Sequence, residues 1–440
     1  MIHRFANIKP AAWLAAFALV LPVALPVHAD EPEVTGVFVF ADIPLKELQN
    51  RVLPGSLPED RGILLGGTGS DMYRVASDPA NVFYVLTDRG PNGLIQVDGK
   101  KRRTFPVPEY TPAILKIRLD APDKVEILEY LPIVSESGKP VTGLPALPRD
   151  ETPYDYAAQQ QLELNPNGID PEGLVRAPNG DFWIAEEYGP SILRLDGTGK
   201  VVKRYVPEGI EWAGADYPIS GVLPAIYEKR KRNRGFEGLA ISPDGKTLFT
   251  VMQSPLHHPD AEAGDRSRHV RILAFDIATE TPVAEYAYLL EPAVEFDPES
   301  PDADEMKLSG AITLSATELY ILERTDKVAK VYSVDLAKGT NLLGTTWDDP
   351  ATSPSFEAVT DLAGAGVVVL PKTLIVDLDA LEGMPDKIEG IALADGETMA
   401  VINDDDFDMN DATFDDKGAF TGLGSKSKVL LIKLPNLRKP

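Results

Sequence analysis

The chain has 440 residues, 43% of them hydrophobic and 25% charged, an ordinary composition for a folded protein that excludes a disordered or fibrous one. Lys and Arg number 43 against 68 Asp and Glu, and the resulting charge of −25 argues against a nucleic-acid binder, which needs a positive surface. With no cysteine and five histidines, disulfides, thiolate metal sites and cysteine nucleophiles are excluded, and a histidine-rich metal site nearly so.

Residues 1–29 predict a secretory signal peptide. Arg4 and Lys9 form its basic start, Ala11 to Leu25 its apolar run, and Val27-His28-Ala29 a small-residue cleavage site. The run is too short for a bilayer core of roughly 30 Å, and Pro22 and Pro26 interrupt it, so no membrane anchor is expected after cleavage. The remaining domain, residues 30–440, carries a charge of −27 and is expected to be periplasmic or secreted.

The rest is organised by a repeat. Pro171-Glu172-Gly173-Leu174 precedes Phe182-Trp183-Ile184-Ala185-Glu186-Glu187. Phe236-Glu237-Gly238-Leu239 precedes Leu248-Phe249-Thr250-Val251-Met252-Gln253, and Ile388-Glu389-Gly390-Ile391 precedes Met399-Ala400-Val401-Ile402-Asn403-Asp404. Turn signals separate the halves: Pro178-Asn179-Gly180-Asp181, Pro243-Asp244-Gly245-Lys246 and Asp395-Gly396. Each copy therefore reads as a hairpin of two short apolar strands. Degenerate copies run from Asp71 to Asp88 and from Ser309 to Arg324. A second hairpin follows in each of the first four copies: Ile114–Asp120 with Val125–Tyr130, Ile192–Asp196 with Val201–Tyr205, Ile272–Asp276 with Val283–Tyr288, and Val331–Asp335 with Lys372–Val376.

The last copy has Val429–Leu434 as its third strand and no chain left for a fourth. Val34–Phe40 is a free strand at the other end. The expected fold is thus an all-β propeller of four-stranded antiparallel blades, closed by the N-terminal strand. Five blades are counted. Six is the alternative, with the extra blade in the long gap between 71 and 172 or in 341–371. Segments 131–170, 206–235 and 291–308 read as long loops covering one face.

Several of these segments resemble the phytase-like domain family, described as having esterase-like activity of phytase. The resemblance is carried by Asn233-Arg234-Gly235-Phe236-Glu237-Gly238-Leu239-Ala240, by Gly168-Ile169-Asp170-Pro171-Glu172-Gly173-Leu174, and by Lys387-Ile388-Glu389-Gly390-Ile391 with Asn403-Asp404-Asp405-Asp406-Phe407. Gly66-Gly67-Thr68-Gly69-Ser70 departs slightly from the family's first segment. The likeness spans about residues 35–435. It implies a secreted propeller, a calcium requirement and phosphoester hydrolysis.

From the residues themselves, Glu172, Glu237 and Glu389 hold one repeat position and should converge on the propeller axis, with Asp71 close to it in a fourth copy. Asp88, Glu187, Gln253, Glu323 or Arg324, and Asp404 close the second strands and form another ring. Packed carboxylates either hold a cation or have raised pKa values, and oxygen ligands alone favour calcium. Glu172, Glu389, Asp71 and Asp404 are the candidate metal ligands. Glu237 and Glu187 are the candidate catalytic bases. The competing reading is that each Glu-Gly merely ties neighbouring blades together.

Asp406, Asp408 and Asn410 have the spacing of a calcium loop's first ligands, but Asp411 and Lys417 replace the turn glycine and the terminal glutamate, so an EF-hand is rejected. Lys229-Arg230-Lys231-Arg232-Asn233-Arg234 is the strong basic cluster. Arg234, Lys231 and Arg89 are the candidate substrate-binding residues for a small anionic substrate. No Gly-x-Ser-x-Gly elbow, P-loop or Arg-His-Gly motif is present. The resemblance, together with the converging acids, implies a calcium-dependent phosphoester hydrolase. The alternatives are a non-catalytic propeller that binds a ligand or protein and, by fold analogy alone, a sugar-lactone hydrolase.

Overall fold

Alternation between apolar runs and tight turns makes hairpins along the whole chain. Phe182–Glu186 pairs antiparallel with Pro171–Arg176, and Thr247–Met252 with Phe236–Ile241. The reversals pass through Gly180 and Gly245, whose φ values of 94° and 73° lie in the left-handed region that a glycine enters without strain. The structure, a computed structural model, describes residues 31–435 together with Met1 and Leu437. The expected signal peptide, Met1 apart, lies outside the described residues. Pro32–Pro440 form one unit.

The main strands group as four-stranded blades, two of which join in one eight-stranded sheet through a single parallel pair, Val39 with Lys124. The first blade has Asp71–Tyr73, Val82–Leu86, Ala113–Asp120 and Lys124–Pro132. The second begins with Pro171–Arg176, the third with Phe236–Ile241 and the fourth with Lys307–Thr313. In the fifth, Ile388–Leu393, Thr398–Asn403 and Lys428–Lys433 are completed by the N-terminal strand Glu33–Val39. That strand lies antiparallel to Lys428–Lys433, with Val37 opposite Leu430. The closure expected between the chain ends is therefore present.

The first strands of the blades lie side by side in a closed ring. Glycine is what allows it. A Cβ on Gly173 would sit 2.7 Å from the Glu237 carbonyl oxygen, and one on Gly238 only 2.0 Å from that of Ser309. Gly310 faces the Glu389 carbonyl and Gly390 faces the Asp71 backbone in the same way. Each glycine is thus the point at which one blade touches the next.

The 71–172 gap and segment 341–371 carry ordered structure of their own. In the 71–172 gap, Gly93–Val97 and Lys100–Thr104 form a hairpin that joins Pro153–Tyr154 in a separate three-stranded sheet. In 341–371, Leu342, Phe356, Leu362 and Val367 pack with Ala287 of the third blade. Segment 206–235 is not wholly a loop: Ile219–Leu223 adds a fifth, parallel strand to the second blade. The helix Leu45–Val52 buries Leu45 and Leu48 against the core of the first and fifth blades. Among the described residues no helix is long and apolar enough to cross a membrane.

Candidate functional site

At one end of the ring, the second strands close beside the entry to the first. The backbone N–H groups of Asp88, Glu187, Gln253 and Asp404 donate to the carbonyls of Gly67, Asp170, Gly235 and Lys387 at 2.7–3.0 Å. The same bond in four blades sets these four side chains at one rim, next to the repeat glutamates. Glu172, Glu187, Glu237, Glu389 and Asp404 are all buried.

Two groups of carboxylates converge there. Asp88, Asp170 and Glu172 can each bring one oxygen within 4.8 Å of the others, and so can Asp88, Asp404 and Asp406. In the first group Asp170 Oδ1 has no hydrogen-bond partner. Burial, then the charge of Glu237, pushes the Glu172 carboxyl well above its usual range. Burial and the neighbouring Asp170 do the same to Asp88. Burial raises Asp170 to about 7 although Arg89 opposes it, with Nη1 at 3.2 Å from Oδ2.

Gln253 links the two candidate bases. Its side-chain nitrogen donates to Glu187 Oε1 at 2.8 Å and to Glu237 Oε2 at 2.6 Å. Burial, then Glu237, pushes Glu187 up to about 8. Glu237 also accepts from Ser309 Oγ at 3.2 Å and lies 3.5 Å from Arg324 Nη2.

The other candidates are placed differently. Asp71 has both oxygens engaged by backbone: Oδ1 accepts from Met72 N and Oδ2 from Leu174 N, each at 2.8 Å. It is in neither converging group. Glu389 is bound to the Arg324 guanidinium. Asp404 is in the second group and pairs with Lys387 Nζ at 2.5 Å. Lys231 pairs with Asp265 at 3.0 Å and Asp304 at 3.1 Å. Arg234 donates to Ser254 Oγ and the Asp304 carbonyl, and its charge reaches Glu187. Arg89 is buried beside Asp170, with its guanidinium 4.9 Å from the Tyr188 ring. The alternating loop after Asp404 does not form a calcium loop: both Asp408 oxygens accept backbone N–H groups of residues 423–425.

The rim also carries a basic half, in which Arg324, one of the two residues expected at the fourth position of the ring, is joined by Lys387 and Lys307, which the repeat of acids did not reveal. A signal was available for the two lysines. Lys307 and Lys387 precede the inner-strand residues Ser309 and Glu389 by two positions, as Asp170 precedes Glu172.

Residues 65–407 match the profile of the Phytase-like family, described as esterase-like activity of phytase. The chain belongs to this family. A secreted protein of Arthroderma benhamiae is 26% identical to the phytase-like chain over 312 residues, which span 62% of the chain and 60% of that relative. Among solved structures, a luciferin-regenerating enzyme has 12% identity and a TM-score of 0.35, with 86% of this chain and 95% of that one covered. The PQQ-bound aldose sugar dehydrogenase of Streptomyces coelicolor has 10% identity and a TM-score of 0.33, with 84% and 97% covered. A Dos1 propeller has 8% identity and a TM-score of 0.29, with 83% and 68% covered.

Proposed function

We propose that this phytase-like domain is a secreted hydrolase of phosphate esters that works with calcium held by Asp88, Asp170 and Glu172. Secretion is supported by the signal-like N-terminus and by the secreted relative. The observation that carries the metal reading is Asp170 Oδ1, a buried carboxylate oxygen without a hydrogen-bond partner in the group Asp88, Asp170 and Glu172. Leaving such a group ionised and unpaired is costly, and a cation removes the cost. The available ligand atoms are all oxygens, which suits calcium.

Calcium there would neutralise substrate charge and polarise a water. Glu187, raised to about 8, is suited to exchange a proton near neutral pH, and Gln253 holds it beside Glu237. The basic half of the rim, with Arg234 behind it, would face the phosphate.

The test is to measure calcium content and turnover of p-nitrophenyl phosphate by the purified protein, with and without chelator. Bound calcium and chelator-sensitive turnover support the reading. Calcium with no turnover on any phosphate ester favours a non-catalytic binding propeller. One observation favours that second reading: Arg324 already contacts both Glu237 and Glu389, as a structural tie would.

A further inference from the structure

Asp326 sits in the turn between Glu318–Arg324 and Ala329–Asp335 of the fourth blade. Its carboxylate is bound by Lys307 Nζ and by Arg324 Nη1, the latter at 3.2 Å. The three side chains differ sharply in exposure: 60% for Asp326, against 10% for Lys307 and 1% for Arg324. Two buried cations therefore present themselves to solvent through one exposed carboxylate. Lys387 adds its charge from the next blade, and its backbone N–H donates to the Asp326 carbonyl at 2.7 Å.

The turn does not depend on the Asp326 side chain. The Thr325 hydroxyl accepts the N–H groups of Lys327 and Val328 at 3.2 and 3.0 Å, and Thr325 N donates to the Val328 carbonyl. The carboxylate can therefore swing out while the backbone stays in place. When it does, Lys307 loses the only acid it is paired with among the described residues. Lys307 also senses a surplus of positive charge: burial, then Arg324 and Arg234, brings its pKa down to about 8.

We propose that Lys307 and Arg324, backed by the charge of Lys387, form a subsite for a tetrahedral oxyanion, the phosphate group of a substrate, and that Asp326 occupies it as an internal competitor. A phosphate group offers three oxygens to Lys307 and Arg324, which now share one carboxylate, so it replaces Asp326 without leaving a buried cation unpaired. Asp326 thereby sets the threshold of anion affinity and rejects weaker carboxylate ligands, which gain nothing by the exchange. The subsite lies beside the acid cluster, since the Arg324 guanidinium reaches Glu237 and feels Glu172. The assignment of this anion as a substrate's rests on the hydrolase reading; the binding itself does not.

Isothermal titration of the full-length secreted protein with inorganic phosphate tests it, in chelator and in calcium. Asp326→Asn removes an exposed charge and keeps the turn. It is expected to bind phosphate at least about tenfold more tightly than wild type, because a charge-assisted pair is freed. Binding should persist in chelator, since side chains make the subsite. Adding Lys307→Gln to Asp326→Asn should remove most of the gain. Unchanged or weaker phosphate binding by Asp326→Asn overturns the proposal. So does a gain that survives Lys307→Gln, or binding that vanishes in chelator, which would place the anion on a cation instead. Absence of phosphatase turnover while this binding pattern holds would count against the hydrolase reading alone.

Discussion

The Asp71 carboxylate accepts the Leu174 backbone N–H at 2.8 Å, a bond from the inner strand of the first blade to that of the second. It also accepts Met72 N–H at 2.8 Å, so both oxygens serve the ring. Asp71→Ala would leave a buried donor unpaired and is expected to lower stability by about 2 kcal/mol. Denaturant unfolding checks this. The same variant should leave the calcium response intact, and a lost response would return Asp71 to the metal ligands.

The glycines make a sharper claim. A Cβ at Gly238 would stand 2.0 Å from the Ser309 carbonyl oxygen, where backbone faces backbone. Gly238→Ala is expected to cost about 3 kcal/mol, at the upper end for overpacking, because two inner strands must separate. A melting temperature within a degree of wild type would show that the ring yields more easily than its geometry suggests.

Closure is tested at the other seam. Glu33–Val39 covers the edge of Lys428–Lys433 along its length. Deleting residues 30–41 uncovers that edge and strips Phe38 and Phe40 from the core they share with Leu45 and Leu48. The product should melt far lower and aggregate. An unchanged melting temperature would mean that the fifth blade stands on three strands.

Much of this was legible in the sequence because hairpins and their repetition are local. Glu-Gly at fixed distance from an apolar run marked the inner strands, and the unmatched strands at the two ends marked the seam. The pairing of charges across blades was not legible. Glu237 of the third blade and Glu389 of the fifth share a repeat position, but nothing in the spacing shows that Arg324 of the fourth blade bridges them. The same holds for Lys231, whose partners Asp265 and Asp304 lie far from it in sequence. Ile219–Leu223 was missed because it joins its sheet in parallel, without a hairpin turn to announce it.

The acid cluster implies a pH dependence. The native pKa values of Asp170 and Glu187 are raised to about 7 and about 8, well above those of an unfolded chain. The native state then holds more protons than the unfolded one, so stability is full at low pH and is lost as pH rises through these values. Without calcium, the melting temperature is expected to fall between about pH 5 and pH 8 on account of these groups. Calcium should flatten the fall, and its affinity should rise over the same window as its ligands lose protons. Equal pH profiles with calcium and with chelator would speak against a cation among these acids.

The central claim is that Glu172 is a calcium ligand, and calcium titration of wild type and Glu172→Gln at pH 8 tests it most directly. Glutamine nearly preserves the shape and removes one ligand charge. The account predicts saturable calcium binding to wild type, weakened by at least about tenfold in Glu172→Gln with folding retained. Wild type without calcium binding, or equal affinity in the two proteins, would contradict it.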